Sequence, residues 1–382
     1  MTGQADWLCQ APLVTQADLF TSEQRTPWGG NRILERYKRH LGLAASDVVG
    51  ESWELSGHSS APSHVESPLT AGRFSIQQIA RMAPESLFGK TQQQMPFLVK
   101  LINSGSWAQH RRQLLQLVPK QLIAEDAHQL HTELSRLSKL NPAIAAIHRE
   151  MVAKNLSIQV HPKQGDLPGV ASKSEAWLIL EAEAGAGIYL GLHPGVTRTQ
   201  FESTLRAGDD CSHQLQFLPV QAGDVFSVPA GTLHAIGAGV LLLELQESAD
   251  TTFRAYDWGR PRQLHLEEAL HCTSWDGPAG EALRCQPHHQ PLRPHGPKQT
   301  LWVQTPHFNL TQMQFTGPNQ QLEVHPDQTG LQGYFIESGA ITITSGNSPT
   351  LTLPHGRSFF LPAASGPCQL ASPRANLYAI TS

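Results

Sequence analysis

The sequence has little charge and no concentration of either sign. Charged residues make up 16% of the 382 residues, and the formal net charge at pH 7 is −4. Proteins that bind nucleic acid or anionic membrane surfaces usually carry clustered positive charge. The composition therefore argues against both kinds of partner.

Cysteine is also scarce. The five cysteines are scattered along the chain, and no two of them form a CxxC pair: Cys9, Cys211, Cys272, Cys285 and Cys368. An odd and scattered set is not typical of a disulfide framework or of a cysteine zinc site. We therefore expect the thiols to be reduced.

Long apolar runs and nucleotide-binding loops are missing as well. No stretch approaches the length of a membrane-spanning helix, and the first residues, MTGQADWLCQAPLV, lack the basic and apolar regions of a signal peptide. No glycine-rich loop of the GxxxxGKS/T or GxGxxG type is evident, so a nucleotide cofactor is not expected. Together these absences predict a soluble, cytoplasmic protein.

What the chain does have is many short apolar runs separated by turn residues. The 31 glycines and 27 prolines lie among runs at residues 96–102, 176–192, 224–231 and 239–246. This pattern is typical of β-rich folds, and the length is sufficient for two or three domains.

Residues 107–154 differ, because their apolar residues recur at spacings of three, four and seven. This spacing predicts two or three helices, with breaks near Pro119 and at Asn141-Pro142. We expect the apolar stripe to pack against the rest of the protein. A further helix is expected at residues 75–82.

The segment LSIQVHP, residues 156–162, alternates apolar and polar side chains. Strict alternation predicts a β-strand that places Ser157, Gln159 and His161 on one face, which would be either a solvated face or the lining of a cavity. Glu175 and His234 stand at the edges of other strand-like runs. In a rolled-up antiparallel sheet such residues can project into one interior.

Two histidines and a glutamate, with a nearby glutamine, are ligand types that suit zinc and other first-row divalent ions. They would leave one coordination position open for substrate or water. The alternative is coincidence, because a chain with 19 histidines will place several near strand ends. The spacings of these residues taken together favour a metal site more strongly than any single histidine does.

Several motifs together resemble the type I phosphomannose isomerases, most of all their short bacterial form. They are GESWELSGH (50–58), PFLVKLI (96–102), LSIQVHP (156–162), KSEAW (173–177) and GDVFSVPAGTLHAIGAGVLLLELQESADTTFRAYDW (223–258). The resemblance covers most of residues 25–260. It implies a cupin β-barrel that interconverts mannose 6-phosphate and fructose 6-phosphate with one bound divalent metal, Zn²⁺.

The same resemblance implies roles for individual residues. Four would ligate the metal: Gln159, His161, Glu175 and His234. Arg254 would be the active-site arginine. Lys100, Ser157 and Lys173 fall where the family has residues that hold phosphate or line the active site.

The reaction also needs a base that removes a proton from carbon. Glu244 is one candidate, because it lies on the polar face of the run at 239–246. Lys173 is the other, because a neighbouring cation would lower its pKa. The alternative for Glu244 is a structural ion pair with a cation such as Arg254, and the sequence does not separate these possibilities.

The chain departs from the short family form in the region 107–154, where the predicted helices intervene between PFLVKLI and LSIQVHP. We therefore expect a catalytic cupin domain at 1–106 and 155–284, a helical insertion at 107–154, a proline-rich linker at 285–300 and a second β domain at 301–382.

The second domain contains QLEVHPD (321–327), which is similar to SIQVHPK in the first. Alignment of Gly223 with Gly356 puts Pro367 in the position of His234. The second domain is thus expected to be a degenerate cupin-like unit with a packing role.

Three other functions are compatible with the residues. The protein could act on another phosphosugar, or it could be a cupin oxygenase, since His/His/Glu ligation also suits iron or copper. It could also be a non-catalytic cupin that binds a sugar phosphate without turnover. Oxygen consumption would identify the oxygenase, and binding without turnover would identify the regulatory protein.

Overall fold

The computed structural model describes residues 6–21, 26–43, 48–90, 94–118, 120, 123–139, 141–346 and 348–382. Pro119, near which a helix break is expected, lies outside the described residues. Within the described residues no helix is long and apolar enough to cross a membrane. All five cysteines are free thiols.

Antiparallel strands dominate the structure. In chain order they are β1 (Leu13–Gln16), β2 (Asp18–Thr21), β3 (Val49–Leu55), β4 (His64–Glu66), β5 (Arg73–Ser75), β6 (Phe97–Asn103), β7 (Ile158–Val160), β8 (Glu175–Ala182), β9 (Gly187–Leu192), β10 (Leu215–Pro219), β11 (Val225–Val228), β12 (His234–Ile236), β13 (Val240–Glu247), β14 (Phe253–Tyr256), β15 (His288–His289), β16 (Lys298–Gln304), β17 (Asn309–Phe315), β18 (Gln320–Val324), β19 (Gln332–Ser345), β20 (Leu351–Pro354), β21 (Ser358–Leu361), β22 (Cys368–Ser372) and β23 (Ala375–Thr381).

The helices are shorter and lie between the strands. They are α1 (Arg32–Arg36), α2 (Ile76–Met82), α3 (Pro84–Phe88), α4 (Ala108–Leu114), α5 (Ala127–Leu137), α6 (Pro142–Val152), α7 (Arg198–Ala207), α8 (Leu266–Cys272) and α9 (Pro326–Thr329). The helix expected at residues 75–82 is α2, which begins after a capping box formed by Ser75 and Gln78.

Two sheets carry most of the residues predicted to be functional. One has the strand order β11-β8-β13-β6-β3-β2 and the other β10-β9-β12-β7-β14. Ile179 and Leu242 from the first sheet share one buried cluster with Ile188 and Ile236 from the second. Burial of each such side chain contributes roughly 1.5–3 kcal/mol, so the two sheets are held face to face by their apolar sides.

The predicted helices between β6 and β7 are confirmed as α4, α5 and α6. Asn141 is the N-cap of α6. Its side chain accepts hydrogen bonds from the backbone N–H groups of Ala143 and Ile144, and Pro142 is the first residue of the helix. Leu130 and Leu134 of α5 lie in the same buried cluster as the two sheets. The apolar stripe therefore packs on the body, as expected.

A third sheet contains most of the remaining strands, in the order β15-β16-β17-β23-β19-β21-β1-β4-β5. β15 and the first residues of β16 fall within residues 285–300, so this segment contributes strands as well as connecting them. β1 pairs with β21, with Leu13 opposite Phe360. Residues near the start of the chain thus extend the sheet built by residues 298–381.

A buried ion pair joins the same two parts of the chain. Lys38 Nζ lies 2.8 Å from Glu54 Oε2 and donates to the carbonyl oxygen of Gly356. The Ser358 hydroxyl donates to the same carboxylate oxygen. Both charged side chains are almost completely buried. Each would therefore be an uncompensated buried charge without the other.

Candidate metal centre and active-site pocket

The candidate ligands come from strands that meet at one end of the two facing sheets. Gln159 is the central residue of β7 and His161 directly follows that strand, while Glu175 and His234 are the first residues of β8 and β12. His234 and Gln159 are paired across β12 and β7. The turn before β12 is fixed by Gly231, whose φ of 89° suits glycine and whose N–H donates to the carbonyl oxygen of His161.

His161, Glu175 and His234 form a compact buried group. Their candidate ligand atoms lie within 4.8 Å of one another. His161 Nε2 is 3.0 Å from Glu175 Oε1, and His234 Nε2 is 3.8 Å from Glu175 Oε2. Among the described residues, no other group of His, Cys, Asp and Glu has this spacing.

Both histidines are oriented by the backbone through the nitrogen that does not face the group. Nδ1 of His161 lies 2.8 Å from the carbonyl oxygen of Thr251, and Nδ1 of His234 lies 2.9 Å from that of Thr232. A carbonyl oxygen only accepts, so each Nδ1 is assigned the proton and each Nε2 keeps a lone pair. Two imidazole nitrogens and one carboxylate therefore face a common point, and this donor set fits a divalent cation.

Charge and burial favour the protonation states that a metal site requires. Burial and then the Lys173 ammonium lower the pKa of His161 to about 3, and burial lowers the pKa of His234. Burial alone would raise the pKa of Glu175, but the Lys173 ammonium and then the contact with His161 outweigh it and hold that pKa well below its usual value. The site thus offers neutral imidazoles and an ionised carboxylate.

Gln159 lies at the edge of this group. Its Nε2 is 3.3 Å from His234 Nε2, and its Oε1 accepts a hydrogen bond from the Ser157 hydroxyl. The amide oxygen and nitrogen exchange places when the amide rotates by about 180°. In that orientation Gln159 would present an oxygen toward the histidines.

Lys173 is the cation closest to the group. Its Nζ lies 2.7 Å from Glu175 Oε1 and 3.3 Å from His161 Nε2. Although burial acts in the opposite direction, the carboxylates of Glu175 and Glu244 raise the pKa of Lys173. The side chain is therefore an ammonium that partly neutralises Glu175.

Glu244 is a second buried carboxylate beside the first. Its Oε2 accepts a hydrogen bond from the indole N–H of Trp177, and its Oε1 lies 3.6 Å from Lys100 Nζ. Burial, followed by the negative charge of Glu175, raises the pKa of Glu244 to about 7. A carboxyl group with a raised pKa can both accept and release a proton near neutral pH.

A cavity of about 310 Å³ adjoins this group at Gln159, Lys173 and Glu244; His161, Glu175 and His234 themselves are not among its lining residues. It is lined by Trp28, Glu51, Lys100, Ile102, Leu156, Ser157, Gln159, Lys173, Glu244, Asp250, Thr252, Arg254 and Arg262. Six residues predicted from the sequence therefore share one pocket: Lys100, Ser157, Gln159, Lys173, Glu244 and Arg254. Three larger cavities in the described part of the chain, of about 750, 630 and 320 Å³, are lined by none of the predicted site residues.

Arg262 is a lining residue that the sequence reasoning did not identify. Asp257 is almost completely buried and accepts hydrogen bonds from both Arg260 and Arg262, so the guanidinium of Arg262 is held in place. Its neighbour Arg254 donates to the carbonyl oxygen of Gln263. The signal in the sequence is the pair of arginines in YDWGRPR, directly after the predicted Arg254 motif.

Comparison with known proteins gives consistent results, although no family model matches the chain. The chain is 28% identical over 309 residues to the mannose-6-phosphate isomerase of Streptococcus mutans, which covers 78% of each protein. The solved structure of the mannose 6-phosphate isomerase from Bacillus subtilis superposes with a TM-score of 0.72 at 21% identity, covering 98% of this chain and 100% of that one. A zinc-bound mannose 6-phosphate isomerase gives a TM-score of 0.66 at 15% identity and covers 97% and 99%.

These likenesses confirm two predictions made from the sequence. The resemblance to the phosphomannose isomerases extends over most of the chain, and the mainly β cupin fold is the fold of those structures.

Proposed function

We propose that this protein is a metal-dependent aldose–ketose isomerase that interconverts mannose 6-phosphate and fructose 6-phosphate. The observation that carries the proposal is the convergence of His161, Glu175 and His234 beside a pocket whose lining includes the buried Glu244 carboxylate and four cationic side chains. The proposal is supported by the relative of Streptococcus mutans and the two solved structures, all of which are mannose-6-phosphate isomerases by name.

His161, Glu175 and His234 would hold the metal, with Gln159 as the fourth protein ligand. Zn²⁺ is the expected ion, because the donor set is typical of zinc and one structure with the same fold is zinc-bound. When bound there, the ion would act as a Lewis acid that stabilises negative charge on the sugar oxygens. Glu175 is the one carboxylate among these ligands, so the site would keep a net positive charge.

Glu244 is the proposed base. The isomerisation moves one proton from C2 to C1 of the sugar and one from the C2 hydroxyl to the C1 carbonyl oxygen. As a carboxylate, Glu244 would accept the carbon-bound proton and return it to the neighbouring carbon of the enediol intermediate. Lys100, 3.6 Å from Glu244, stabilises the carboxylate form.

Lys173 is proposed to act as a cation rather than as the base. Its ammonium is paired with Glu175 and lines the pocket. In that position it would donate hydrogen bonds to the sugar oxygens on which negative charge develops.

The phosphate group is assigned to the basic part of the pocket. Arg254 and Arg262 both line it, and a guanidinium binds a phosphate through two parallel N–H groups. Ser157 would add a hydroxyl donor, and Lys100 would contribute a further positive charge. The guanidinium groups of Arg254 and Arg262 are suited to the dianion of a sugar phosphate and would hold its reacting carbons beside Glu244.

We also propose that residues 107–154 are an insertion in the catalytic cupin domain and that residues 301–382 are a degenerate cupin-like domain with a packing role. Every lining residue of the candidate pocket precedes residue 263. The free state of all five thiols supports a reducing, cytoplasmic location.

A coupled assay tests the proposed function. Purified protein is stripped with a chelator, divided, and reloaded with Zn²⁺ or left without metal, and each sample is given mannose 6-phosphate. Fructose 6-phosphate should form in the zinc-loaded sample and fall to background in the stripped one. Absence of turnover in a sample with confirmed stoichiometric zinc would overturn the proposal.

A further inference from the structure

Trp177 connects the two buried carboxylates of the site through a single N–H group. Its Nε1 donates to Glu175 Oε2 at 3.0 Å and to Glu244 Oε2 at 3.2 Å. We propose that Trp177 is a positioning residue that fixes the candidate metal ligand Glu175 and the candidate base Glu244 relative to each other. The proposal rests on the proposed function for the roles of these two glutamates.

The backbone explains why one indole reaches both acceptors. Glu175 and Trp177 are two positions apart on β8, so their side chains leave the same face of the sheet. Glu244 is paired with Trp177 across β8 and β13. The indole therefore starts directly beside one carboxylate and opposite the other.

The arrangement leaves each carboxylate with one oxygen on the indole and the other near a lysine. Glu175 Oε1 is 2.7 Å from Lys173, and Glu244 Oε1 is 3.6 Å from Lys100. Two neighbouring carboxylates would repel each other and rotate apart, and a shared donor opposes that rotation. The indole N–H thus sets the plane in which Glu175 faces His161 and the direction in which Glu244 faces the pocket.

Trp177 is not a platform on which the sugar ring could stack. Its exposed fraction is 0%, and it is absent from the pocket lining. Its ring instead contacts His234 edge to face, at 5.3 Å between ring centroids. Phenylalanine at this position would keep an aromatic ring against His234 but would lose the N–H, so the substitution isolates the shared hydrogen bond.

Trp107 provides a matched control. It is buried to nearly the same extent, at 1% exposed, and lies in the same apolar cluster as Trp177. Its Nε1 has no hydrogen-bond partner in the described part of the chain. Trp107→Phe therefore removes a buried indole without removing a hydrogen bond or touching the site.

The experiment compares W177F with W107F and wild type in two assays. Zinc affinity is measured without substrate by competition with a chromophoric chelator, and kcat and KM are measured with mannose 6-phosphate. W177F should bind zinc about 10-fold more weakly and lose about 10- to 100-fold in kcat, with KM within about twofold. W107F should match wild type in all three quantities. Equal zinc affinity and kcat in the two variants would overturn the positioning role.

The zinc assay separates this proposal from the proposed function. If the wild type binds zinc without isomerising mannose 6-phosphate, the proposed function fails, and the ratio of zinc affinities still decides the role of Trp177.

A measurement on unsubstituted Trp177 covers the case in which W177F does not fold. The indole ¹⁵N–¹H spectrum of the chain should contain one slowly exchanging signal that shifts both on zinc addition and in E244Q. No signal that responds to both changes would overturn the proposal.

Discussion

Glu244 and Lys100 occupy paired positions on β13 and β6, and their side chains meet as a buried ion pair with 3.6 Å between Oε1 and Nζ. The two strands lie side by side in the sheet that also carries Glu175 and Trp177. The pairing places a carboxylate and its stabilising cation in the lining of one pocket, so substitution of either should alter the chemistry of that pocket directly.

Glu244→Gln should lower kcat for mannose 6-phosphate by about 10²- to 10⁴-fold, the usual contribution of a general base. The amide is close in size to the carboxylate, can accept the hydrogen bond from Trp177 and cannot take a proton from carbon. Steady-state kinetics and zinc analysis of the same preparation check this. A variant with full zinc content and wild-type kcat would show that the base is another group.

His161→Ala and His234→Ala should each lose bound zinc and activity while the fold persists. Each substitution removes one of the lone pairs that face the common point of the site. Zinc content, isomerase activity and far-UV circular dichroism are the measurements. His213→Ala is the control, because His213 is exposed and lines no part of the candidate pocket. Turnover by a metal-free H161A protein would refute the role of the metal.

Arg254→Ala should keep its zinc but lose about 10²-fold or more in kcat/KM for mannose 6-phosphate, because it removes the charge-assisted pair proposed for the phosphate. The loss should be much smaller when free mannose is the substrate. Arg198→Ala serves as the control, since this arginine is largely exposed and outside the pocket. Equal losses with both sugars would assign Arg254 to the reacting end of the substrate.

Local patterns in the sequence point to candidate site residues, but they do not predict how the sheets are shared. Alternation in LSIQVHP was enough to put Gln159 and His161 on one face, because a strand has a side-chain period of two. The pairing of β1 with β21, by contrast, joins residues more than 300 positions apart. No local pattern in LVTQ specifies which sheet edge it will complete.

Other features escaped the sequence for a similar reason. Trp177 lies two positions after Glu175 in KSEAW, where an aromatic side chain is typical of a buried core. Only the register of β8 against β13 shows that its N–H reaches Glu244. Arg262 lies in a loop, where spacing does not fix direction. Its position depends on Asp257, which holds it through hydrogen bonds.

Lys38→Met should destabilise the protein by about 3–5 kcal/mol, the usual cost of leaving a buried charge without its partner. Glu54 is 1% exposed and would lose the ammonium at 2.8 Å. Urea unfolding measured at pH 7 checks the loss. The double variant K38M/E54M should recover most of the stability, and equal instability of the single and double variants would contradict this explanation.

His148 should make stability depend on pH. Its Nε2 lies 2.7 Å from Nδ1 of His131, whose other nitrogen contacts the Asp210 carboxylate. Burial, and then the charge of His131, lower the pKa of His148 from 6.5 to about 4. Asp210 acts in a different range, because its pKa is lowered from 3.8 to about 2, and its contribution is lost only below about pH 4.

The direction in which the free energy of unfolding changes with pH follows from the number of protons bound by the folded and unfolded chains. Between pH 6.5 and 4 the unfolded chain protonates His148 and the folded chain does not, so the free energy of unfolding falls as the pH falls. The loss from this one group is at most about 3 kcal/mol. Urea unfolding of wild type and H148Q from pH 7.5 to 4.5 measures it, and wild type should lose more stability than the variant across this range. If the free energies of unfolding of wild type and H148Q change with pH in parallel, His148 is protonated in the folded protein as readily as in the unfolded chain.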